Sequence, residues 1–285
     1  MRPARALSRP AFEDLPFVEA ELLYLVPMAE KPWQYTYEPP AGVPRMNSRH
    51  APQRLPIRDA RPIASDLSLD RDGFALLRHR TDLGDFDDAD ERRRVYDPEI
   101  ERLVAEATGA ERVVVFDHTI RRRIWSAADR MPATPRQPVP RVHNDYTLRS
   151  GPQRVRDLMG EEAEALLQRR FAIINVWRPI RGPLRDAPLA VCDAQSTELA
   201  DFVAADLIYP DRRGETYSVT YNPRHRWFYA PAMGEDEVML LKVFDSAADG
   251  RARFAPHSAF EDPTAPADVL PRESIESRTL AFFSA

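Results

Sequence analysis

The sequence predicts a mainly β fold with flanking helices, whose core is a double-stranded β-helix of the jelly-roll, cupin-like type. Two observations lead to this prediction. From residue 113 onward, short segments rich in β-branched and aromatic residues follow one another, separated by turn residues, a spacing typical of a sandwich or barrel. Two segments with helical periodicity accompany them, and strands with flanking helices favour a double-sheet jelly roll.

The chain is predicted to be a single domain over 1–285, because it contains no Ser/Gly-rich linker, no internal repeat and no break in composition. Within it, 1–112 is expected to supply N-terminal flanking strands and a helix. The jelly-roll core is expected over 113–285.

The first third of the chain is predicted to be mostly irregular and extended. Short strands are expected at 21–26 and 33–38, followed by a stretch broken by prolines. Asp72 and Gly73 form a turn signal between an acidic segment and an apolar run.

A helix is predicted from Glu91 to Thr108. Asp90 precedes it as a suitable N-cap, and Gly109 follows it as a stop signal. Its apolar face is expected to consist of Ile100, Leu103 and Val104.

The later part of the chain is predicted to be β, with one interruption. A second helix is expected at about 152–169. The expected strands are 113–116, 142–148, 169–177, 188–194, 216–222, 226–231, 237–245, 254–260 and 274–283.

The composition excludes several classes of protein. The chain has 27 prolines but only 10 glycines. Its residues are 43% hydrophobic and 30% charged, which is a globular balance. Because disordered chains are poor in apolar residues, a disordered protein is excluded. The net charge of −5 argues against a nucleic-acid partner. No apolar run approaches the roughly 18 residues of a membrane span, and no signal peptide is visible, so a cytoplasmic location is expected.

A single cysteine, Cys192, further limits the chemistry. It permits neither an intramolecular disulfide nor a cysteine-based zinc site, and its apolar surroundings predict a structural thiol.

His143 and Asp145 are the first candidate metal ligands. They lie in the strand-like segment RVHNDYTL, where alternation puts both side chains on one face. A second histidine from a distant strand would complete the two-histidine, one-carboxylate triad that binds non-haem iron and leaves coordination positions open. By itself His-x-Asp is a weak signal, since a surface histidine beside an aspartate gives the same pattern.

His257 is the preferred second histidine. It is followed fifteen residues later by Arg272, with Ser274 on the same strand face. A guanidinium binds a carboxylate in a bidentate way, and a hydroxyl adds one more donor. The order His-x-Asp, distal histidine, Arg-x-Ser resembles the pattern of 2-oxoglutarate-dependent oxygenases. His225 is the alternative ligand, but its spacing to Arg272 is poor.

For several other residues the sequence gives a less specific signal. Asn175 and Trp177 share a strand face and are candidates for substrate contact, although Trp177 fits a core position equally well; Arg178, which points the other way, is a further candidate. His118 is expected to be a hydrogen-bonded core histidine or a neighbour of the ligands. Lys242, inside an apolar strand, is expected to reach solvent with its ammonium group; the alternative is that it meets an anion inside the barrel.

Two more expectations concern Tyr146 and two arginine runs. Tyr146 follows the His-x-Asp pair and is expected on the opposite strand face. The arginine runs 92–94 and 121–123 are expected to be solvated.

Sequence blocks along most of the chain resemble the AsaB-like hydroxylase/desaturase family, which includes the CmcJ-type proteins. The resemblance covers roughly 22–283 without a large gap. The blocks are DGFALL, RVVVFDHTIR, RVHNDYT, INVWRPIRGP, YNPRHRWFYAPAM, LLKVFDS and PHSAFEDP with PRESIESRTLAFF.

The resemblance implies an Fe(II)/2-oxoglutarate-dependent oxygenase of secondary metabolism, which hydroxylates, desaturates or closes a ring in a small molecule with O2. By position it implies that His143, Asp145 and His257 bind iron(II). Arg272 and Ser274 would hold the distal carboxylate of 2-oxoglutarate. The gap between His257 and Arg272 is longer than usual for this superfamily, so Arg278, on the same strand face, is the alternative.

Two other functions fit the same fold. One is a non-catalytic ligand-binding or helper protein that partners a biosynthetic enzyme, although such a protein would not need the complete set of ligands. The other is a jelly-roll metalloenzyme that does not use 2-oxoglutarate.

Overall fold

The computed structural model describes residues 10–125 and 135–284. Its strands are β1 (Phe17–Leu25), β2 (Trp33–Tyr35), β3 (His50–Asp59), β4 (Phe74–Arg78), β5 (Arg112–Arg122), β6 (His143–Asn144), β7 (Phe171–Pro179), β8 (Leu189–Cys192), β9 (Phe202–Ile208), β10 (Arg213–Val219), β11 (Trp227–Tyr229), β12 (Glu237–Asp245), β13 (His257–Ala259) and β14 (Glu273–Phe282). Its α-helices are α1 (Ala89–Glu91), α2 (Asp97–Thr108), α3 (Ser150–Met159) and α4 (Ala163–Leu167), and a π-helical turn (Arg92–Tyr96) joins α1 to α2. Short 3-10 turns occupy Phe12–Asp14, Arg61–Asp66, Gly160–Glu162, Ala194–Ser196 and Leu199–Asp201.

The strands form two sheets. A nine-stranded sheet has the order β1-β3-β11-β8-β13-β6-β10-β9-β2, and a five-stranded sheet has the order β4-β12-β7-β14-β5. One apolar cluster contains buried side chains from both, among them Trp177 and Leu280 of the smaller sheet and Val191 and Phe228 of the larger. The core therefore lies between the sheets, and the predicted jelly roll with flanking helices is confirmed.

Helix α2 covers the outer face of the smaller sheet. Its Ile100, Leu103 and Val104 are buried in a second cluster with Ile174 and Val238, from β7 and β12. Every residue of β7 and β12 is buried, because one face meets the core and the other meets the helix.

The predicted helix around Glu91–Thr108 is confirmed, with one correction at its start. The cap is Asp88 and not Asp90: the Asp88 carboxylate accepts hydrogen bonds from the backbone N–H groups of Asp90 and Glu91. Gly109 ends the helix with a φ of 72°, a conformation that glycine adopts without strain.

Strand β3 was not predicted, since Pro52 and Pro56 interrupt its sequence. It pairs with β1 over nine residues, but only Ile57, Arg58 and Asp59 pair with β11 on the other side. The prolines thus lie where the strand behaves as an edge, and an edge tolerates their missing N–H groups.

The expectation that Lys242 reaches solvent is wrong, and the alternative, an anionic partner inside the protein, is what the structure shows. Its side chain is 1% exposed, and its Nζ donates to Asp245 Oδ2 at 2.9 Å and also to Asp70. Arg170 Nη2 donates to the same two carboxylates, at 2.8 Å to Asp245 and 3.0 Å to Asp70. The cost of burying the ammonium is offset by ion pairs.

Cys192 is a buried free thiol, as predicted. Burial raises its pKa, so it remains protonated and unreactive. Among the residues that the structure describes, no helix has both the length and the apolar character needed to cross a bilayer.

Gly151 allows α3 to approach the core closely. A Cβ at this position would lie 2.6 Å from Cδ2 of the Phe244 ring. We expect Gly151→Ala to lower the free energy of unfolding by about 1–3 kcal/mol through overpacking, measured by urea denaturation. The matched control is Gly84→Ala, whose Cβ would meet only the flexible carboxylate of Glu91 at 3.3 Å. Equal stability of Gly151→Ala and the wild type would contradict this account.

Candidate metal centre

Two neighbouring strands bring the candidate histidines together. β13 and β6 are antiparallel, and their register pairs His257 directly with His143, so the ring centroids lie 4.4 Å apart. Asp145 follows β6 immediately. One potential ligand atom from each of the three side chains lies within 4.8 Å of the others. This grouping is the one that the sequence predicted.

Both imidazoles are oriented by a backbone carbonyl two residues earlier in the chain. His143 Nδ1 donates to the backbone carbonyl of Arg141 at 2.8 Å, and His257 Nδ1 donates to that of Ala255 at 3.0 Å. Each hydrogen bond leaves Nε2 as the atom with a free lone pair. The two Nε2 atoms lie 3.5 and 3.8 Å from Asp145 Oδ1, so the three free donor atoms converge.

The Asp145 carboxylate is oriented in the same manner. Its Oδ2 accepts hydrogen bonds from Asn175 Nδ2 at 2.8 Å and Arg278 Nε at 3.1 Å, which leaves Oδ1 to face the histidines. Burial alone would raise the pKa of Asp145, but the charge of Arg278, with His257 and His143, outweighs burial and holds that pKa well below its usual range. The carboxylate is therefore ionised.

The protonation states also suit a metal. Burial lowers the pKa of His143 to about 3, and the neighbouring His257 acts in the same direction. At neutral pH the His143 imidazole is uncharged, as a metal ligand must be.

This donor set fits iron(II). Two imidazole nitrogens and one carboxylate oxygen match the facial triad typical of non-haem iron oxygenases, in which three protein ligands leave further positions open. The hydrogen bonds from Nδ1 to carbonyls, and from Asn175 and Arg278 to the carboxylate, are the supporting contacts that such sites use to orient ligands.

A cavity of about 780 Å³ opens beside the triad, and His143, Asp145 and Arg278 line it. Its volume is within the range of small-molecule sites, roughly 300–1,000 Å³. Aromatic side chains contribute to the wall, among them Trp33 and Phe116.

Two cavity residues contradict expectations from the sequence. Tyr146 lines the same cavity as Asp145, because β6 ends at Asn144 and the chain bends, so strand alternation no longer applies. Arg121 also lines it and donates from Nη1 to the carbonyl of Gln137 at 2.8 Å, so it does not belong to a solvated run. Alternation along β5, which places Arg121 on one face with Thr119, was a signal that could have found it.

Arg272 and Ser274 are buried together near the start of β14. Arg272 Nε donates to Ser274 Oγ at 2.9 Å, and its Nη1 donates to the carbonyl of Ala187 at 2.7 Å. Its guanidinium lies 4.9 Å from the centre of the Trp177 ring. Neither Arg272 nor Ser274 belongs to the lining of the cavity, whereas Arg278 does.

The three candidate substrate residues have different surroundings. Asn175 is fully buried and contacts the Asp145 carboxylate, and Trp177 is in the core beneath Arg272. Arg178 projects from the other face of β7, where its Nη2 donates to the carbonyl of His79 at 3.2 Å. Arg178 therefore has no part in the site as we assign it.

The remaining histidines considered from the sequence are engaged elsewhere. His225 Nε2 contacts Asp201 Oδ2 at 3.1 Å, and its Nδ1 contacts the Tyr24 hydroxyl at 3.0 Å. His118 is held between Asp97 Oδ1 at 2.7 Å and Ser277 Oγ at 2.9 Å. His225 is thus not near the triad, and His118 is a hydrogen-bonded histidine as predicted.

Comparison with known proteins agrees with this geometry. A family model described as "Oxidoreductase/YMDC permease-like domain" matches residues 22–282. The chain is 36% identical over 252 residues to "Hydroxylase/desaturase efuI" of Hormonema carpetanum, covering 81% of this chain and 84% of that protein. It is 30% identical over 273 residues to "Fe(II)/2-oxoglutarate-dependent dioxygenase nvfI" of Aspergillus novofumigatus, covering 93% of this chain and 96% of the relative.

A solved structure gives the same result. The "iron and alpha-ketoglutarate-dependent endoperoxidase NvfI" superposes with a TM-score of 0.85 at 28% identity, covering 94% of this chain and 99% of the other. The family resemblance inferred from the sequence blocks is therefore confirmed. With the facial triad, the jelly roll and these relatives in agreement, the chain belongs to the hydroxylase/desaturase family of Fe(II)/2-oxoglutarate-dependent oxygenases.

Proposed function

We propose that this chain oxidises a small-molecule secondary metabolite by hydroxylation, desaturation or ring formation, with iron(II) held by His143, Asp145 and His257. The observation that carries the proposal is the convergence of their ligand atoms within 4.8 Å, each oriented by a hydrogen bond on its far side. The proposal includes 113–285 as the catalytic core of one domain and a cytoplasmic location, both of which stay predictions.

In a hydroxylation, the substrate C–H bond, O2 and 2-oxoglutarate become C–OH, succinate and CO2. Iron(II), when bound, supplies the activation of O2 coupled to decarboxylation of the cosubstrate. The protein's own contribution is positioning: Asn175 and Arg278 hold the Asp145 carboxylate, and the cavity wall holds the substrate beside the triad.

Arg272 is the proposed partner of the distal carboxylate of 2-oxoglutarate. It is 4% exposed, and its guanidinium donates only to the neutral groups of Ser274 and Ala187 among the described residues. Burial, with Arg121 nearby, lowers its pKa to about 9, so an anion in contact with it would be strongly favoured. Arg278, by contrast, already contacts the carboxylates of Asp145, Asp117 and Glu276.

The function is tested by anaerobic reconstitution with iron(II), followed by titration with 2-oxoglutarate. Chelation of the metal by the cosubstrate is expected to give a weak visible metal-to-ligand charge-transfer band. Absence of the band from protein that has bound iron would contradict the proposal. It would favour an oxygenase without 2-oxoglutarate or a helper protein.

Arg272→Gln is expected to weaken binding of 2-oxoglutarate by about 10- to 100-fold, because a charge-assisted hydrogen bond is lost, while iron binding is kept. Arg278→Gln is the matched comparison. It is expected to weaken iron binding by about tenfold, since Asp145 loses an orienting partner. Both constants come from the same anaerobic titrations. If Arg278→Gln mainly weakens 2-oxoglutarate binding and Arg272→Gln does not, the assignment is reversed.

A further inference from the structure

The cavity beside the triad is positively charged, although the protein as a whole carries a net charge of −5. Among the described residues, eight arginines but only four carboxylates line its wall. Asp145, one of the four, is committed to the metal centre. A cavity with this excess of guanidinium groups attracts anions.

Several of these arginines already have a carboxylate within 4 Å. Arg278 contacts Asp145, Arg149 contacts Glu215 at 3.6 Å, and Arg213 contacts Asp206 at 3.8 Å. Their charges are at least partly compensated by the protein itself.

Arg141 is one of the wall arginines without such a pair among the described residues. Its Nη2 donates to Gln34 Oε1 at 2.6 Å and its Nη1 contacts Met46 Sδ at 3.2 Å, both neutral groups. Within the described parts of the chain, no carboxylate lies within 4.0 Å of its guanidinium. Two of its five N–H groups are thereby used to orient the fork, and the other three have no hydrogen-bond acceptor among the described residues.

The position of Arg141 relates it to the reacting centre. It precedes His143 by two residues and lines the same cavity. Its backbone carbonyl accepts the hydrogen bond from His143 Nδ1, so its main chain is fixed with respect to the triad. His50, also on the wall, offers no negative charge: burial and then Arg141 lower its pKa to about 4, and the imidazole is neutral.

We propose that Arg141 binds a carboxylate of the organic substrate in a bidentate way, so that the enzyme selects acidic small molecules. This inference rests on the proposed function, since it assigns the distal carboxylate of 2-oxoglutarate to Arg272. A guanidinium half-buried in a cavity with only neutral partners is stabilised by an incoming anion, and its planar fork matches a carboxylate. Aromatic residues of the wall, such as Trp33 and Tyr146, suit an apolar body attached to that carboxylate.

The test uses two probes of nearly equal shape, 2-naphthoate and 2-naphthamide. Their binding to the anaerobic protein loaded with iron(II) and 2-oxoglutarate is measured by titration calorimetry. The wild type is expected to bind the carboxylate about tenfold more tightly than the amide. Arg141→Gln is expected to remove this preference, and Arg141→Lys to retain part of it.

The control is Arg224→Gln, which removes an exposed arginine that pairs with Glu198 outside the cavity and is expected to leave the preference unchanged. Iron binding is expected to survive in Arg141→Gln, because the carbonyl that orients His143 belongs to the main chain. A loss of iron binding would therefore identify a variant that has failed to fold.

Each result of these titrations supports or overturns the role proposed for Arg141. A wild-type protein without preference for naphthoate, or an Arg141→Gln variant that keeps it, overturns the proposal. A loss of 2-oxoglutarate binding in Arg141→Gln would assign this arginine to the cosubstrate instead. If the wild type lacks the charge-transfer band but prefers naphthoate on the iron-loaded protein, the oxygenase function fails while the acid site stands.

Discussion

His257→Ala is expected to abolish stable binding of iron(II). In the proposed centre the imidazole would supply one of three protein ligands, and the remaining pair, His143 and Asp145, would not enclose the metal from a third direction. We expect an affinity loss of at least 100-fold in an anaerobic iron(II) titration, with no charge-transfer band on addition of 2-oxoglutarate. The fold is expected to persist, because β13 remains paired with β8 and β6 through its backbone.

His225→Ala is the control for this experiment, since His225 was the competing ligand. It removes the hydrogen bonds to Tyr24 and Asp201, so a loss of about 1–3 kcal/mol in stability is expected. Iron affinity is expected to stay unchanged. Loss of iron in His225→Ala together with its retention in His257→Ala would overturn the assigned triad.

Asp245→Asn is expected to cause the largest loss of stability among these variants. Asp245 is fully buried and accepts hydrogen bonds from Lys242 and Arg170. Replacing the carboxylate by an amide leaves the buried Lys242 ammonium with Asp70, which is more than half exposed, as its remaining acidic partner. Removing one partner of a buried ion pair costs about 3–5 kcal/mol.

The midpoint of urea unfolding measures this effect. The matched control is Asp90→Asn, because the Asp90 side chain is 89% exposed where it pairs with Arg93 and exposed pairs contribute little. A midpoint for Asp245→Asn that equals that of Asp90→Asn would mean that the Lys242 ammonium does not need its buried carboxylate partner.

Most of the architecture, and the pairing of His143 with Asp145 in the candidate metal centre, were predictable because they depend on short-range regularities. Short β-branched and aromatic segments separated by turn residues predicted most of the later strands. Strand β12 was predicted at its observed bounds, Glu237–Asp245. His143 and Asp145 are two residues apart in sequence, so their proximity needed only local geometry. His257 needed a long-range match, which came from its order relative to Arg272.

Features set by tertiary contacts were not predictable in this way. Strand β9, Phe202–Ile208, shows no alternation, because its side chains are mostly half-buried on both faces. The preferred expectation for Lys242 was wrong, and one of its two carboxylate partners, Asp70, is distant in sequence. The orientation of Tyr146 depends on the bend at Asp145, where the turn-favouring residues Asn144 and Asp145 interrupt a strand-like segment.

The hydrogen bonds from the two imidazoles to main-chain carbonyls have an evolutionary consequence. His143 and His257 donate to the backbone carbonyls of residues 141 and 255. These hydrogen bonds are therefore kept when the side chain at either position changes. Residue 141, next to the reacting centre, is thereby free to diversify. Under the proposed role of Arg141, a point substitution at this position would change substrate preference without rebuilding the metal centre, which makes residue 141 the first choice for saturation mutagenesis.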